Sequence, residues 1–369
     1  EEAIELDPSF ALAFSQLSFL HGRTYRFGYD RRPERIEAQR TAADSALALQ
    51  PDLPQAHFAA GYVHYVEGDF EEALDDCYIA LEGLPSDASI VAFIGYSHRR
   101  LGNWRELVAA YQRAVTLDPR NASFHNDLGG NSFLLLHRYG EAITAYDRAL
   151  QLEPDFGDAA WWKGMAYLGM EGQIDTLKAS VEAASGMSVW SRFRLHAYER
   201  DWQGAGHEIM NDSGPAFIDQ AILVPKSLMS AWVHQALGER GAAAAAYDSA
   251  RAFLEAYAAE NPEDDRVHYG LGHVYAGMGR TAEALRSAEN LYLPWQGDFH
   301  DGPWYAGFAA EILASAGLVD EAIEVLRPLL EGPSFVSADL LRIHWAFDPI
   351  RNHPRFQALL EPSAVTLGH

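Results

Sequence analysis

A single cysteine, Cys77, stands in 369 residues, which excludes an intrachain disulfide framework and any metal site built on several thiolates. It falls at an apolar repeat position, where a free thiol serves as a small hydrophobe. Lysine is nearly as scarce: Lys163, Lys178 and Lys226 are the whole supply, and arginine carries almost all the positive charge. With 28 basic against 52 acidic residues and a formal charge of −24, the chain lacks the clustered cations that nucleic acid or an anionic membrane demands. Neither is an expected partner. No apolar run reaches the roughly 18 residues of a membrane span and no signal peptide is evident, so a cytoplasmic location is expected. EEAIELDP also lacks an initiator methionine and a helix-capping signal. It reads as a helix entered midway, and the sequence is expected to be part of a longer protein.

What the chain does have is a beat. Prolines fall at 8, 51, 85, 119 and 154, at intervals of 43, 34, 34 and 35 residues, closing the phrases AIELDP, ALALQP, ALEGLP, AVTLDP and ALQLEP. Self-similarity at that period marks a helical repeat array, in which each unit buries its apolar face only against its neighbours. Between Pro85 and Pro119, Val91, Ile94 and Gly95 and then Leu107, Tyr111 and Ala114 follow helical spacing, with LGNW between them. The unit is helix, tight turn, helix. Gly61, Gly95, Gly129 and Gly164, with Ala73 and Ala142 on second helices, recur where two helices approach too closely for a branched side chain.

This spacing resembles the tetratricopeptide repeat, whose signature runs large–leucine–glycine–tyrosine, then alanine–aromatic–alanine, then proline. Leu128, Gly129, Ala142, Tyr146, Ala149 and Pro154 fill those places in one unit, and Gly61, Ala73, Cys77, Ala80 and Pro85 in another. The resemblance implies an all-α fold: a right-handed solenoid of about nine helix-turn-helix pairs. A regular array is expected over 1–183 and a degenerate one over 184–369, with a joint around 184–224. RTYRFGYDRRPER reads as an insertion between the helices of the first repeat, YLPWQGDFHDGP as a non-helical loop at 292–303, and 333–361 as a cap in which Phe347, Phe356 and Leu359 cover the last repeat. That closing segment is similar to the tail of repeat arrays in bacterial signalling proteins carrying an adenylyl cyclase, a protein kinase or a winged-helix regulator.

Searches for catalytic patterns return near-misses. HEIMN at 207–211 has Asn211 where a zinc protease needs its second histidine, and GYSHR at 95–99 lacks the closing glycine of a nucleophile elbow. Asp298, His300 and Asp301 are the best candidates for a divalent cation, and an enzyme with a metal there is the weakest of three functional readings. The acidic runs DFEEALDD and ENPEDD read as solvated faces. No cofactor is expected.

In arrays of this family the first helix of each pair lines a concave groove. Mapped here, its facing positions give Phe58, Tyr62, Tyr65, Tyr96, Arg99, Asn126, Phe133 and Trp161, with Arg100 and Trp162 one step aside. Aromatic and arginine side chains are the usual anchors of partner binding, so the resemblance implies a non-enzymatic scaffold that takes a peptide or protein. Self-association through the same aromatics, giving a homodimer, is the second reading. The second half offers the less coherent set Trp232, Tyr269, His273 and Glu311.

Overall fold

Each proline of the beat opens the turn that follows a helix, where a residue without an N–H cannot extend the ladder. The tight turn inside each pair is closed differently. Gly68 at φ 94° and Gly102 at φ 71° take the left-handed conformation that ends the first helix. Of the helices that open a new pair, the one at Pro54 starts on a proline at its first position and the one at Ala88 on a side-chain cap, where Asp87 Oδ1 accepts the N–H groups of Ser89 and Ile90.

The computed structural model describes residues 2–211 and 213–361. Glu1, at the expected truncated start, and 362–369, the end of the expected second segment, lie outside the described residues. Contacts divide the chain between Ser132 and Phe133 into two units. The 183/184 division rests on loss of repeat regularity alone and stands as a proposal about sequence.

The first unit contains α1 (Glu2–Leu6), α2 (Ala11–Arg26), α3 (Pro33–Leu49), α4 (Pro54–Glu67), α5 (Phe70–Gly83), α6 (Ala88–Arg100), α7 (Trp104–Leu117) and α8 (Ala122–Asp127). The surplus of the first interval lengthens α2 and α3 and leaves a loop between them. The residues after α8 form a π-helical stretch, Leu128–Leu134, where a continuous α-helix is expected. The wider turn shifts the facing side chains by one place.

The second unit contains α9 (Tyr139–Leu152), α10 (Gly157–Glu171), α11 (Asp175–Ala183), α12 (Val189–Tyr198), α13 (Trp202–Asn211), α14 (Lys226–Ala236), α15 (Arg240–Glu260), α16 (Val267–Gly277), α17 (Thr281–Tyr292), α18 (Asp301–Ser315), α19 (Val319–Glu331), α20 (Ala338–Ile343) and α21 (Pro354–Leu360). In chain order the helices α2 to α19 fall into nine pairs, and the all-α solenoid expected from the repeat is the fold observed. Helix α15 runs past the usual proline as its alanine-rich sequence suggests. Of the expected loop at 292–303, Tyr292 ends α17, Leu293–Trp295 form a 3-10 turn and residues 301–303 start α18, leaving 296–300 as the irregular part.

Two features of this unit are absent from the sequence reading. The joint contains a small antiparallel hairpin, β1 (Ala216–Ile218) with β2 (Leu223–Pro225), whose turn is tied by Asp219 Oδ1 accepting the N–H groups of Ala221 and Ile222. Asp264, assigned above to a solvated acidic run, is 4% exposed. Its carboxylate receives Arg266 Nε and Nη2 at 2.8 and 2.6 Å and the Tyr257 hydroxyl at 2.8 Å, while Arg266 Nη1 donates to Asp219 O at 2.7 Å. A bidentate, fully paired carboxylate is the form in which an acid tolerates burial.

The closing segment does more than cap. Phe347 and Phe356 are buried and stack at 5.7 Å, and α21 packs on α19 as expected. Leu359 is half-buried against the core. Trp345, however, reaches back into rings of α12, α13 and α14. Arg200 holds the segment there, donating to Ile343 O at 2.8 Å and Asp348 Oδ1 at 2.6 Å.

Close packing at the small residues is literal. A Cβ on Gly164 of α10 lies 2.7 Å from the Leu177 Cα of α11, and a backbone atom cannot swing aside. Gly164→Ala is expected to cost about 1–3 kcal/mol, read as a lower urea midpoint. An unchanged midpoint means the pair can separate freely.

Candidate functional site

Of the ten residues picked from the repeat register, seven lie in the first unit and Phe133, Trp161 and Trp162 in the second. Within the first unit, α2, α4 and α6 share a run of rings. Phe19 meets Phe58 at 4.7 Å, Phe58, Tyr62 and Tyr65 all meet Phe93 at 5.0–5.4 Å, and Tyr96 meets Tyr111 at 5.6 Å. Tyr62 and Tyr65 are buried in this run, and Phe58 and Tyr96 are half-buried. Much of the aromatic wall therefore joins helix to helix, with half-buried Arg26 and Arg100 and buried Arg99 lying over its rings. Arg26 sits 4.7 Å above Tyr65, Arg100 4.6 Å above Phe70 and Arg99 5.3 Å from Tyr96, each favourable for a guanidinium on a ring face.

A polar chain completes this face. The Tyr96 hydroxyl donates to Asp127 Oδ2 at 2.6 Å, Asn131 Nδ2 donates to Asp127 Oδ1 at 2.9 Å, and Arg99 Nη1 donates to Asn131 Oδ1. Burial pushes the Asp127 carboxyl up to about 6, against the opposing pull of the Tyr96 hydroxyl, Arg99 and Arg26. Burial likewise raises the Tyr96 phenol, reinforced by Asp127. Asn126 Oδ1, Arg99 Nε and the Tyr111 hydroxyl are sealed from water here and have no hydrogen-bond partner among the described residues. Arg26, Asp127 and Asn131 were missed by the sequence reading. Arg26 comes from the irregular first repeat, and the π-helical stretch brings Asn131 to the face.

Phe133, Trp161 and Trp162 belong to the second unit. Phe133 is buried with Arg138 4.6 Å over its ring, and Trp162 packs on Phe335 at 5.4 Å and Trp304 at 5.8 Å. Trp161 lies under Arg194 at 4.7 Å, at the edge of the second unit's main polar cluster. There Arg194 Nη2 donates to the Tyr198 hydroxyl at 2.8 Å, and the Tyr269 hydroxyl donates to Glu311 Oε2 at 2.8 Å. His344 Nε2 approaches Glu311 at 3.4 Å and His273 Nε2 at 3.9 Å. Trp232 packs on His273 at 5.2 Å. The set Trp232, Tyr269, His273 and Glu311, incoherent in sequence, is contiguous in space. Arg194, Tyr198 and His344 join it from segments with no repeat register.

Burial decides the protonation of this cluster. It raises Glu311 to about 7, against Arg194 and the Tyr269 hydroxyl, and depresses His273 to about 3 and His344 well below its ordinary range. Both imidazoles are neutral near pH 7, so their approaches to Glu311 are not ion pairs.

The loop singled out for a metal is internally engaged. Asp298 Oδ1 accepts the N–H groups of His300 and Asp301 at 2.9 and 2.8 Å, and His300 Nδ1 sits 2.6 Å from Asp301 Oδ1. A metal-ligand grouping among the described residues is instead His64, Glu67 and Asp69, but Glu67 is ion-paired with Arg40. No helix among the described residues is long and apolar enough to cross a membrane.

Models of the tetratricopeptide repeat match residues 36–88 and 129–175, 91–123 and 266–290. Anaphase-promoting complex subunit 3 of Schizosaccharomyces pombe is 22% identical over 176 residues, which is 48% of this chain but 25% of that protein, so the match spans a quarter of the relative's length. Among solved structures, PilF of Pseudomonas aeruginosa is 18% identical, covering 54% of this chain and 89% of that one, with a TM-score of 0.43. YrrB, described as a tetratricopeptide-repeat protein with an unusual peptide-binding site, is 19% identical over 56% of this chain and 95% of that one, with a TM-score of 0.37.

Proposed function

From a chain built of tetratricopeptide repeats, we propose a non-catalytic scaffold that binds a peptide or partner protein on the α2–α4–α6–α8 face of its first unit. Such repeats serve protein–protein interaction, and stacked helix pairs offer extended surfaces for it. One observation carries the choice of face: the unpartnered Asn126 Oδ1 and Arg99 Nε lie beside the Tyr96–Asp127–Asn131 chain and the arginines over the rings. An unsatisfied buried group costs about 1–3 kcal/mol. These atoms are sealed in the free chain, so an extended peptide reaches them only by displacing the side chains above, and its backbone then supplies an N–H for Asn126 and a carbonyl for Arg99. Arg100 and Arg26, themselves half-buried over the rings of Tyr65, Phe70 and Tyr96, favour a segment with acidic side chains. The proposal extends to a regulatory role in bacterial cytoplasmic signalling, resting on the resemblance expected from the sequence of the closing segment.

Asn126→Ala and Arg100→Ala are expected to weaken capture of a peptide partner about tenfold each, with unchanged melting. Peptides recovered by the wild type and titrated by calorimetry read this out. Equal affinity in both variants overturns the face, and light scattering that shows a dimer dissociating on dilution, lost in the same variants, replaces the partner by a second copy.

A further inference from the structure

A second recognition surface, unrelated to the aromatic register, lies where the connection between α17 and α18 is drawn out. Residues 293–300 do not take the short path between repeats, and a cleft of about 640 Å³ opens between α17, α18 and α19. That volume is in the range of ligand sites. The loop is built rather than slack. Trp295 stacks on Tyr305 at 4.9 Å, Gly302 lets Trp295 O approach to where a Cβ stands 2.8 Å away, and Asp298 caps the entry to α18.

The lining has two parts. Leu285, Tyr292, Ala306, Val325 and Leu329 make an apolar floor. Glu289, Glu321, Glu324 and Asp298 stand on the wall and rim, and none of the described lining residues is Lys, Arg or His. Glu289, Glu321 and Glu324 make no ion pair among the described residues. A backbone acceptor adds to them: Pro328 inside α19 has no N–H, so the Glu324 carbonyl loses its helical donor four residues on. An apolar lining that takes one or two side chains, beside three carboxylates that make no ion pair among the described residues, is complementary to one chemistry.

We propose that this cleft binds a basic amphipathic segment of another protein, an apolar anchor flanked by arginine or lysine. Arginine meets the rim carboxylates and the Glu324 carbonyl while the anchor covers the floor. A second copy of this chain is a poor occupant, because its formal charge of −24 repels the same rim. A divalent cation is also a poor occupant: the grouping of metal-ligand atoms among the described residues lies elsewhere, at His64, Glu67 and Asp69.

The test uses a fluorescein-labelled peptide with a central leucine pair flanked by arginines, read by anisotropy against the whole chain. Two controls replace the leucines by glycine or the arginines by glutamate. Saturable binding by the first peptide is expected, weakened about tenfold in either control and in Glu321→Lys/Glu324→Lys. Glu321→Gln/Glu324→Gln, which keeps the shape, is expected to fall between, and Asn126→Ala to bind normally. If the glycine peptide binds as well as the leucine peptide, the attraction is general to an acidic chain and the cleft proposal fails. It fails equally if the rim variants bind like the wild type, or if added peptide only breaks a dimer seen by light scattering.

Discussion

Trp345→Ala is expected to destabilise the second unit by about 3–5 kcal/mol, the range for deleting a large aromatic from a packed core. Six rings surround this indole: Trp190, Phe193, Tyr198, Trp202 and Trp232 at 5.6–6.4 Å, and His344 stacked at 4.2 Å. In a repeat array most substitutions are felt by one unit and its neighbours. Trp345 instead ties a segment near the end of the chain to three helices far earlier in sequence. The loss is therefore expected to appear as a lower midpoint of the cooperative transition, with new protease cuts in 333–361. Phe299→Ala, at a residue 51% exposed, is the contrast and is expected to shift stability by less than about 0.5 kcal/mol. Should Trp345→Ala melt like the wild type, the closing segment is an appendage and the aromatic cluster does not depend on it.

This contrast also marks what can be read from such a sequence. Gly61, Gly95 and Gly164 could be recognised because the constraint on them is local: two helices of one repeat, a fixed number of residues apart, approach closely. The prolines were legible for the same reason. Trp345 was assigned only to a cap because nothing in the apolar spacing of LLRIHWAFDP says how far back along the array it reaches. Arg194 and Tyr198 come from a degenerate repeat whose register gives no facing positions, so their meeting with Trp161, Tyr269 and Glu311 was invisible. The π-helical stretch displaced a groove position by a single place, putting Phe133 in the core and Asn131 on the face. Gly129-Gly130, a second glycine beside the expected one, was its sole trace. Asp264 was misassigned for a simpler reason: net acidity of ENPEDDR hid the Asp-x-Arg spacing that allows a buried bidentate pair.

Glu311→Gln is expected to stabilise the protein at about pH 8 and to leave it unchanged at about pH 5. Burial raises this carboxyl from 4.5 to about 7, and Arg194 and the Tyr269 hydroxyl only partly oppose that rise. The native state thus holds a proton that the unfolded chain has released. Its contribution is complete below about 4.5 and is lost as pH rises through about 7, a difference of about 3 kcal/mol by linkage. Glutamine keeps the acceptor for Tyr269 and cannot ionise, so the variant escapes that loss. The facing imidazoles work in the other direction: burial lowers His273 from 6.5 to about 3, with His344 displaced the same way. Their contribution is present above about 6.5 and lost as pH falls toward about 3. Wild-type stability from this cluster therefore peaks between the two limbs, whereas the variant climbs to an alkaline plateau. Urea titrations of both proteins at the two pH values decide the matter. Had Arg194 and Glu311 formed a stabilising ion pair, the variant would be weaker at about pH 8, so the sign of the alkaline difference separates a buried proton-bearing carboxyl from a salt bridge.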